Sequence, residues 1–324
     1  MKLKILPLLV FLISSNLFAQ KITANWMGRL YQDHPDTRLR DIIIPGTHDS
    51  ATYNIYKNSP FPAGTSKLFK LAKKTVANMS KTQNKDIYWQ LLRGVRYLDL
   101  RVTDYQNELY IVHGMISVDL ETVLKDIRKF RKEYPREIIF IDFQKMPKPK
   151  YFSKLHELIQ KYLGEFLYFR KIAPANLSFK HFWRRGRSIL AIMNNANFVK
   201  TYHGYFNRAG FLKSDWANTI IRPTLKLKLK KFFKEQGPEK FHVGYFTLTP
   251  NTKYIVKGVF RKRKYNAYKL NKKIFNSPGK WLPDWAGQDI KMNIIAVDFE
   301  AESNLVGTVL RLNKEALVVE PNAK

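Results

Sequence analysis

Cysteine is missing altogether from the 324 residues. Its absence removes disulfides, thiolate nucleophiles, cysteine-ligated zinc and a lipidated cysteine anchor together. Stability must then come from a packed core. Acidic residues are scarce as well: 26 Asp plus Glu stand against 57 Lys plus Arg, a formal net charge of +31 with a pI near 10.1. So large an excess predicts an anionic partner. Repeats, low-complexity linkers and sharp composition breaks are also missing, which argues for one domain, residues 23–313, followed by a short tail, residues 314–324.

Long apolar runs are confined to the start of the chain. Residues 1–19 read as a secretory signal peptide, with Lys2 and Lys4 as the charged region, 5–14 as the apolar core and Leu17-Phe18-Ala19 as the cleavage site. Beyond it, no uncharged segment reaches the roughly 20 residues that a spanning helix needs. The expected location is secreted or periplasmic, with no transmembrane segment in the mature chain and any membrane contact peripheral.

What is present is a core-forming composition, 45% hydrophobic and 14% aromatic, which argues against disorder. Apolar, β-branched runs bounded by turn residues predict strands over 41–44, 95–102, 109–112, 138–143, 189–193, 243–248 and 294–299. Amphipathic helices are predicted over 119–133 and 153–163, the first with acids at its start and bases at its end, the second stopped by Gly164. Alternating strands and helices argue for a parallel sheet, and the strand count suits a (β/α) barrel over a doubly wound open sheet. Over 198–238 strand and helix signals mix, and one barrel strand has no assigned place there.

Two of the seven histidines stand just past the carboxyl ends of predicted strands: His48 after Ile44-Pro45-Gly46-Thr47, and His113 after Leu109-Tyr110-Ile111-Val112. In parallel α/β folds that rim is where ligands bind. Asp99 and Arg101, two apart near a strand end, share a face, while Arg96 points elsewhere. Asp298 closes the run Ile294-Ile295-Ala296-Val297 and is placed to hydrogen-bond one imidazole. Two imidazoles, a guanidinium and carboxylates such as Asp49 and Asp298 can cleave a phosphodiester by general acid–base catalysis with no metal. Taken singly, each has an ordinary structural explanation. The combination points to catalysis.

The segments Ile44-Pro45-Gly46-Thr47-His48-Asp49-Ser50, Gly94-Val95-Arg96-Tyr97-Leu98-Asp99-Leu100-Arg101 and Val112-His113-Gly114 resemble the X domain of phosphatidylinositol-specific phospholipases C, most closely its stand-alone branch. The likeness continues through Pro135 to Gln144, Trp216-Ala217-Asn218-Thr219, Leu248-Thr249-Pro250 and Val297-Asp298-Phe299. It implies a distorted TIM barrel, a single-domain α/β fold. It also implies attack by the inositol 2-hydroxyl on its own phosphate, releasing diacylglycerol and a cyclic inositol phosphate. Carried over, His48 is the general base, Asp298 its orienting partner, His113 the general acid, Asp49 the partner of His113, and Arg101 the phosphate stabiliser. Asp99 is a supporting carboxylate. Asp49 and Arg101 match the metal-independent pattern, so neither metal nor cofactor is expected. Secreted bacterial relatives hold the inositol ring with a lysine and an arginine that this chain lacks. Gln144, Lys145, Asn194 and Trp216 become the candidates for ring contacts.

An amphipathic helix expected over 66–79 carries Leu68, Phe69, Lys70, Lys73 and Lys74 and suits an anionic membrane interface. By the resemblance, a short helix in this interval docks on bilayers. The basic, aromatic stretches 225–236 and 257–273 are mostly solvated faces; nucleic acid is a less fitting partner than phosphatidylinositol in an anionic membrane. Two other functions compete. One is a glycerophosphodiester phosphodiesterase on the same barrel, which would favour an acidic metal cage. The other is a non-catalytic basic protein that binds lipid or polyanions.

Overall fold

A computed structural model of the chain describes residues 23–169, 172–261 and 265–319. The expected signal peptide, residues 1–19, and the tail from 320 onward lie outside the described residues. No described helix is long and apolar enough to cross a membrane.

Ten strands are described: β1 (Ile44–Thr47), β2 (Tyr97–Tyr105), β3 (Glu108–His113), β4 (Met115–Asp119), β5 (Ile139–Lys145), β6 (Ile189–Met193), β7 (Phe206–Asn207), β8 (Leu212–Asp215), β9 (Phe241–Phe246) and β10 (Ile294–Val297). Eight of them form a parallel sheet in the order β7-β6-β5-β2-β1-β10-β9-β8, curled with helices outside it. The barrel is incomplete: β7 and β8 end the path and are joined by the helical turn Arg208–Phe211 rather than by a ladder. Keeping both edge strands this short limits the unpaired backbone they expose.

The side-chain alternation of the strands separates a core layer inside the barrel from the layer between sheet and helices. Tyr97, Phe140, Leu190, Ile192, Phe241 and Tyr245 turn to the barrel interior. Their neighbours Leu98, Ile139, Ile141 and Ala191 turn outward and pack on Val123, Leu124, Ile127, Leu155 and Ile159 of the helices Leu120–Glu133 and Phe152–Leu163. The first of these helices begins where its sequence signals put it, with the Asp119 carboxylate accepting from the Thr122 amide at 2.7 Å.

Several local expectations need correction. The strand expected over 41–44 begins at Ile44 and runs through Thr47, because the carbonyl of Pro45 and the amide of Arg96 bridge β1 to β2. Gly46 makes this possible; a Cβ there would lie 2.8 Å from the Tyr97 ring. The strand expected over 243–248 is β9, shifted to begin at Phe241. The helix expected over 153–163 does end at Leu163 with Gly164 as its C-cap, and what the sequence did not signal is the 3₁₀ turn Gly164–Phe166 that follows and buries Phe166. The helix expected over 66–79 is two helices, Lys67–Leu71 and Lys73–Ser80, parted at Ala72. The strand left unplaced in 198–238 is a pair of very short ones, β7 and β8.

Arg96 indeed points away from the rim. It is fully buried at the opposite end of the barrel, 2.6 Å from Glu137, and its remaining N–H groups donate to the carbonyls of Leu91, Val95 and Ala24. Glu137 in turn accepts from the amides of Met27 and Gly28, which fixes the helix Trp26–Leu30 across the barrel base. Removing one partner of such a pair strands a buried charge, at a cost of about 3–5 kcal/mol. Glu137→Gln should lose that much stability in denaturant unfolding, and Arg96→Met/Glu137→Leu together should lose less. A Glu137→Gln loss within about 0.5 kcal/mol, the range of ordinary surface changes, would contradict this role.

Candidate active site

Strand register assembles the site. Thr47 is paired with Val297, so the next residues on β1 and β10, His48 and Asp298, emerge side by side. His48 Nδ1 lies 2.8 Å from Asp298 Oδ1, and the other Asp298 oxygen accepts from Asn271 Nδ2 at 2.8 Å. A carboxylate at Nδ1 fixes the proton there and leaves the Nε2 lone pair facing the cavity, a tautomer assigned from the bonding pattern. On the other flank, Ser50 exchanges hydrogen bonds with Asp99 of β2: its amide donates to the Asp99 carbonyl at 2.9 Å and its hydroxyl accepts from the Asp99 amide at 2.8 Å. Between them Asp49 adopts a left-handed backbone, φ 44°, a conformation that Asp tolerates better than most residues.

That turn sends the Asp49 carboxylate into the centre of the cluster. Its Oδ1 is 2.6 Å from Arg101 Nε; its Oδ2 is 3.2 Å from His48 Nε2 and 3.3 Å from His113 Nε2. Arg101 also reaches Asp99 at 3.5 Å and His48 Nε2 at 3.1 Å. The expected shared face of Asp99 and Arg101 is therefore present, with Asp99 wholly buried beneath the guanidinium.

His113 reaches the site by an unexpected route. It ends β3, which is antiparallel to β2 and lies outside the parallel barrel. β2 is nine residues long, and its outer half folds back through Gln106-Asn107, both with positive φ, into the hairpin that carries His113. Gly114 then turns the chain at φ 68°, and any Cβ there would collide with Ser80. The close approach lets His113 Nδ1–H donate to the Ser80 carbonyl at 2.7 Å, which turns Nε2 toward Asp49. The two imidazole centroids are 6.2 Å apart.

Charge tunes these groups. Burial by itself would lower the His48 pKa, but the carboxylates of Asp49 and Asp298 outweigh it and raise the value above the ordinary 6.5. Burial works against the Asp49 anion too, yet His113, His48 and Arg101 together hold its carboxyl below the usual range. Arg101 is held firmly charged: Asp99 and Asp49 more than offset its desolvation.

The cluster opens on a cavity of about 390 Å³ lined by His48, Arg101, His113, Gln144, Ser214, Trp216 and Tyr245, within the size range of small-ligand sites. Of the residues expected to touch substrate, Gln144 and Trp216 line it, and Asp99 lies below it. Lys145 and Asn194 do not. Lys145 follows Gln144 on β5 and is exposed, and exposed Asn194 spends its amide on the Gln144 carbonyl at 2.9 Å. Trp216 lies 4.9 Å from the His48 ring and 5.3 Å from Tyr245, forming an aromatic wall that remains 38% exposed.

Sequence reasoning missed the floor of the cavity. Gln144 Nε2 donates to Tyr245 Oη at 2.7 Å, and Tyr97 Oη donates to Asp142 at 2.7 Å. Arg208 donates to Asp142 at 3.0 Å and to Ser214 Oγ at 2.9 Å. Burial pushes the Asp142 carboxyl up to about 6 in spite of Arg208. Interior parity along β9 marks Tyr245, but Arg208 and Ser214 sit in the mixed segment, where no periodicity points to them.

Among the described residues, His48, Asp49 and Asp99 are the one group whose donor atoms, within 4.8 Å of one another, are spaced for a metal ion. The Arg101 guanidinium already contacts all three. A divalent ion placed there would meet a fixed positive charge at contact distance.

Fold and site together define an incomplete α/β barrel whose rim gathers two imidazoles, a guanidinium and three carboxylates beside one cavity. The family model described as "Phosphatidylinositol-specific phospholipase C, X domain" matches residues 70–185. PI-PLC X domain-containing protein 2 of Mus musculus is 30% identical over 308 residues, 90% of this chain and 87% of that one. PI-PLC X domain-containing protein 3 of Homo sapiens is 25% identical over 307 residues, 90% of this chain and 93% of that one. The chain belongs to the PI-PLC X-domain family. Among solved structures, the phosphatidylinositol-specific phospholipase C of Listeria monocytogenes superposes with a TM-score of 0.64 at 20% identity, covering 89% of this chain and 98% of that one. The same fold is shared with the Staphylococcus aureus phospholipase, TM-score 0.63 at 18% identity over 91% of this chain and 98% of that one.

The His48 shift can be measured directly. In an NMR titration of the folded protein its ring should titrate above about 6.5, and Asp49→Asn, which deletes one of the raising charges, should move that midpoint down. A His48 midpoint at or below the ordinary imidazole value in the unsubstituted protein would contradict the charge arrangement.

Proposed function

We propose that the protein is a metal-independent phospholipase C acting on phosphatidylinositol, exported by its N-terminal segment and working at an anionic membrane surface. The observation that carries this reading is the placement of one Asp49 oxygen 3.2 Å and 3.3 Å from the Nε2 atoms of His48 and His113, with Arg101 against the other. Two proton carriers thus flank a fixed cation at the mouth of a polar cavity.

His48 Nε2 takes the proton of the inositol 2-hydroxyl as that oxygen bonds to phosphorus. The bond from phosphorus to the glycerol oxygen breaks, and His113 Nε2 supplies the proton that oxygen needs to leave as diacylglycerol. The phosphate remains as a cyclic diester on the ring. Arg101 opposes the charge that grows on the nonbridging oxygens. Asp298 keeps the His48 lone pair aimed inward, and the Ser80 carbonyl does the same for His113. Trp216 offers a flat face to the ring, while Gln144 and Ser214 offer its hydroxyls polar partners.

Membrane docking falls to the rim. Phe69 and Leu71 of the helix Lys67–Leu71 are 56% and 85% exposed, with Lys70, Lys73 and Lys74 nearby in sequence. The Leu68 side chain lies outside the described residues. The neighbouring helix Thr252–Phe260 exposes Ile255, Val256, Val259 and Phe260, and its Gly258 carbonyl accepts from Thr75 at 3.4 Å. Exposed apolar tips ringed by lysines suit an anionic bilayer.

Purified protein should cleave phosphatidylinositol vesicles equally well with and without chelator, and 31P NMR should show the cyclic product first. His48→Ala and His113→Ala should each reduce kcat by roughly 10² to 10⁴ while vesicle sedimentation stays unchanged. Chelator-sensitive turnover or release of glycerol phosphate would favour the glycerophosphodiesterase; an intact protein that binds vesicles but turns nothing over would favour the non-catalytic binder.

A further inference from the structure

Next to the catalytic cavity lies a second, larger cleft of about 470 Å³, whose polar lining includes Lys57, Lys74, Lys81, Asn78 and Asn84. No carboxylate lines it, and among the described residues no ion pair neutralises any of the three lysines. Lys81 is half-buried, so its ammonium is partly stripped of water without an anion in return, and burial lowers its pKa. Three lysines and two amide side chains lining one cleft supply the donors that the oxygens of a phosphate group require.

The cleft also shares a wall with the acid–base machinery. Lys81 lies between Ser80, whose carbonyl holds His113, and Thr82, whose hydroxyl is 3.3 Å from the carbonyls of both His48 and Asp49. Gln83 donates to the His48 carbonyl at 3.0 Å. Phe299, which lines the cleft, follows Asp298, carries a left-handed backbone at φ 51°, and donates its amide to the Thr82 carbonyl at 2.6 Å. Lys74 lies on the helix Lys73–Ser80, which follows directly on the exposed helix Lys67–Leu71, so the cleft borders the segment assigned to membrane docking.

We propose that this cleft is a second anion site, which takes the phosphate of a phospholipid headgroup next to the substrate and steadies the segment 80–83 that positions both histidines. The assignment depends on binding and not on turnover, so it can fail while the catalytic reading stands, and the reverse.

Calorimetric titration of the full chain tests it with two probes, monomeric dihexanoyl phosphatidylglycerol and inorganic phosphate, in an Arg101→Met background that silences the catalytic cation. Lys57→Glu with Lys81→Gln should weaken binding of the lipid at least tenfold, whereas a charge-matched control, Lys132→Glu with Lys314→Gln, should leave it unchanged. In the unsubstituted chain the lipid should protect the Lys57 and Lys81 amines from acetylation, a readout that does not depend on any variant folding. Weakening confined to the lipid assigns a headgroup; equal weakening for inorganic phosphate supports the phosphate site with free phosphate as a sufficient ligand. Unprotected lysines, unchanged affinity for both probes, or an equal loss in the control would overturn the assignment.

Discussion

Asp49 is a buried carboxylate whose two oxygens accept no aligned hydrogen bond, a situation that would cost several kcal/mol were the charge left alone. It is tolerable because Arg101, His48 and His113 all converge on it, at 2.6, 3.2 and 3.3 Å. The same anion holds Arg101 charged, raises the His48 pKa and lies within 3.3 Å of the Nε2 atoms of both imidazoles. Contacts made by charge without strict hydrogen-bond alignment leave the ring nitrogens able to turn to a substrate. The cluster thus holds the rim together and, under the proposed function, is also its reactive centre.

The barrel's part is to deliver the pieces to one point. β1 sits between β10 and β2, so a single turn after it meets Asp298 on one side and Asp99 with Arg101 on the other. His113 comes from a hairpin that extends β2 beyond the parallel sheet. The opposite end of the barrel is closed by Arg96 and Glu137, a pair with no access to solvent. Charge at the base serves stability, and charge at the rim, under the proposed function, serves chemistry, the usual division in this architecture.

Much of the rim was legible in the sequence, because a polar residue at the end of a β-branched run stands out against its surroundings. His48, Asp99, Arg101, His113 and Asp298 all carry that signal, and the structure brings them together. The hairpin origin of His113 was not legible: an apolar run reads the same whether it enters a parallel or an antiparallel ladder. Nor was the failure of Lys145 to line the cavity, since strand parity depends on where β5 starts and bulges against β2. Arg208 and Ser214 escaped notice because β7 and β8, two and four residues long, are too short to show a period.

Under the proposed function, Asp49 and Arg101 act as one unit in turnover. A double-mutant cycle on kcat/KM with phosphatidylinositol, using Asp49→Asn, Arg101→Met and the pair, measures that coupling. The combined loss should fall well short of the sum of the two single losses in free energy. Losses that add to within about 0.5 kcal/mol, as for independent sites, would show that the two residues act separately.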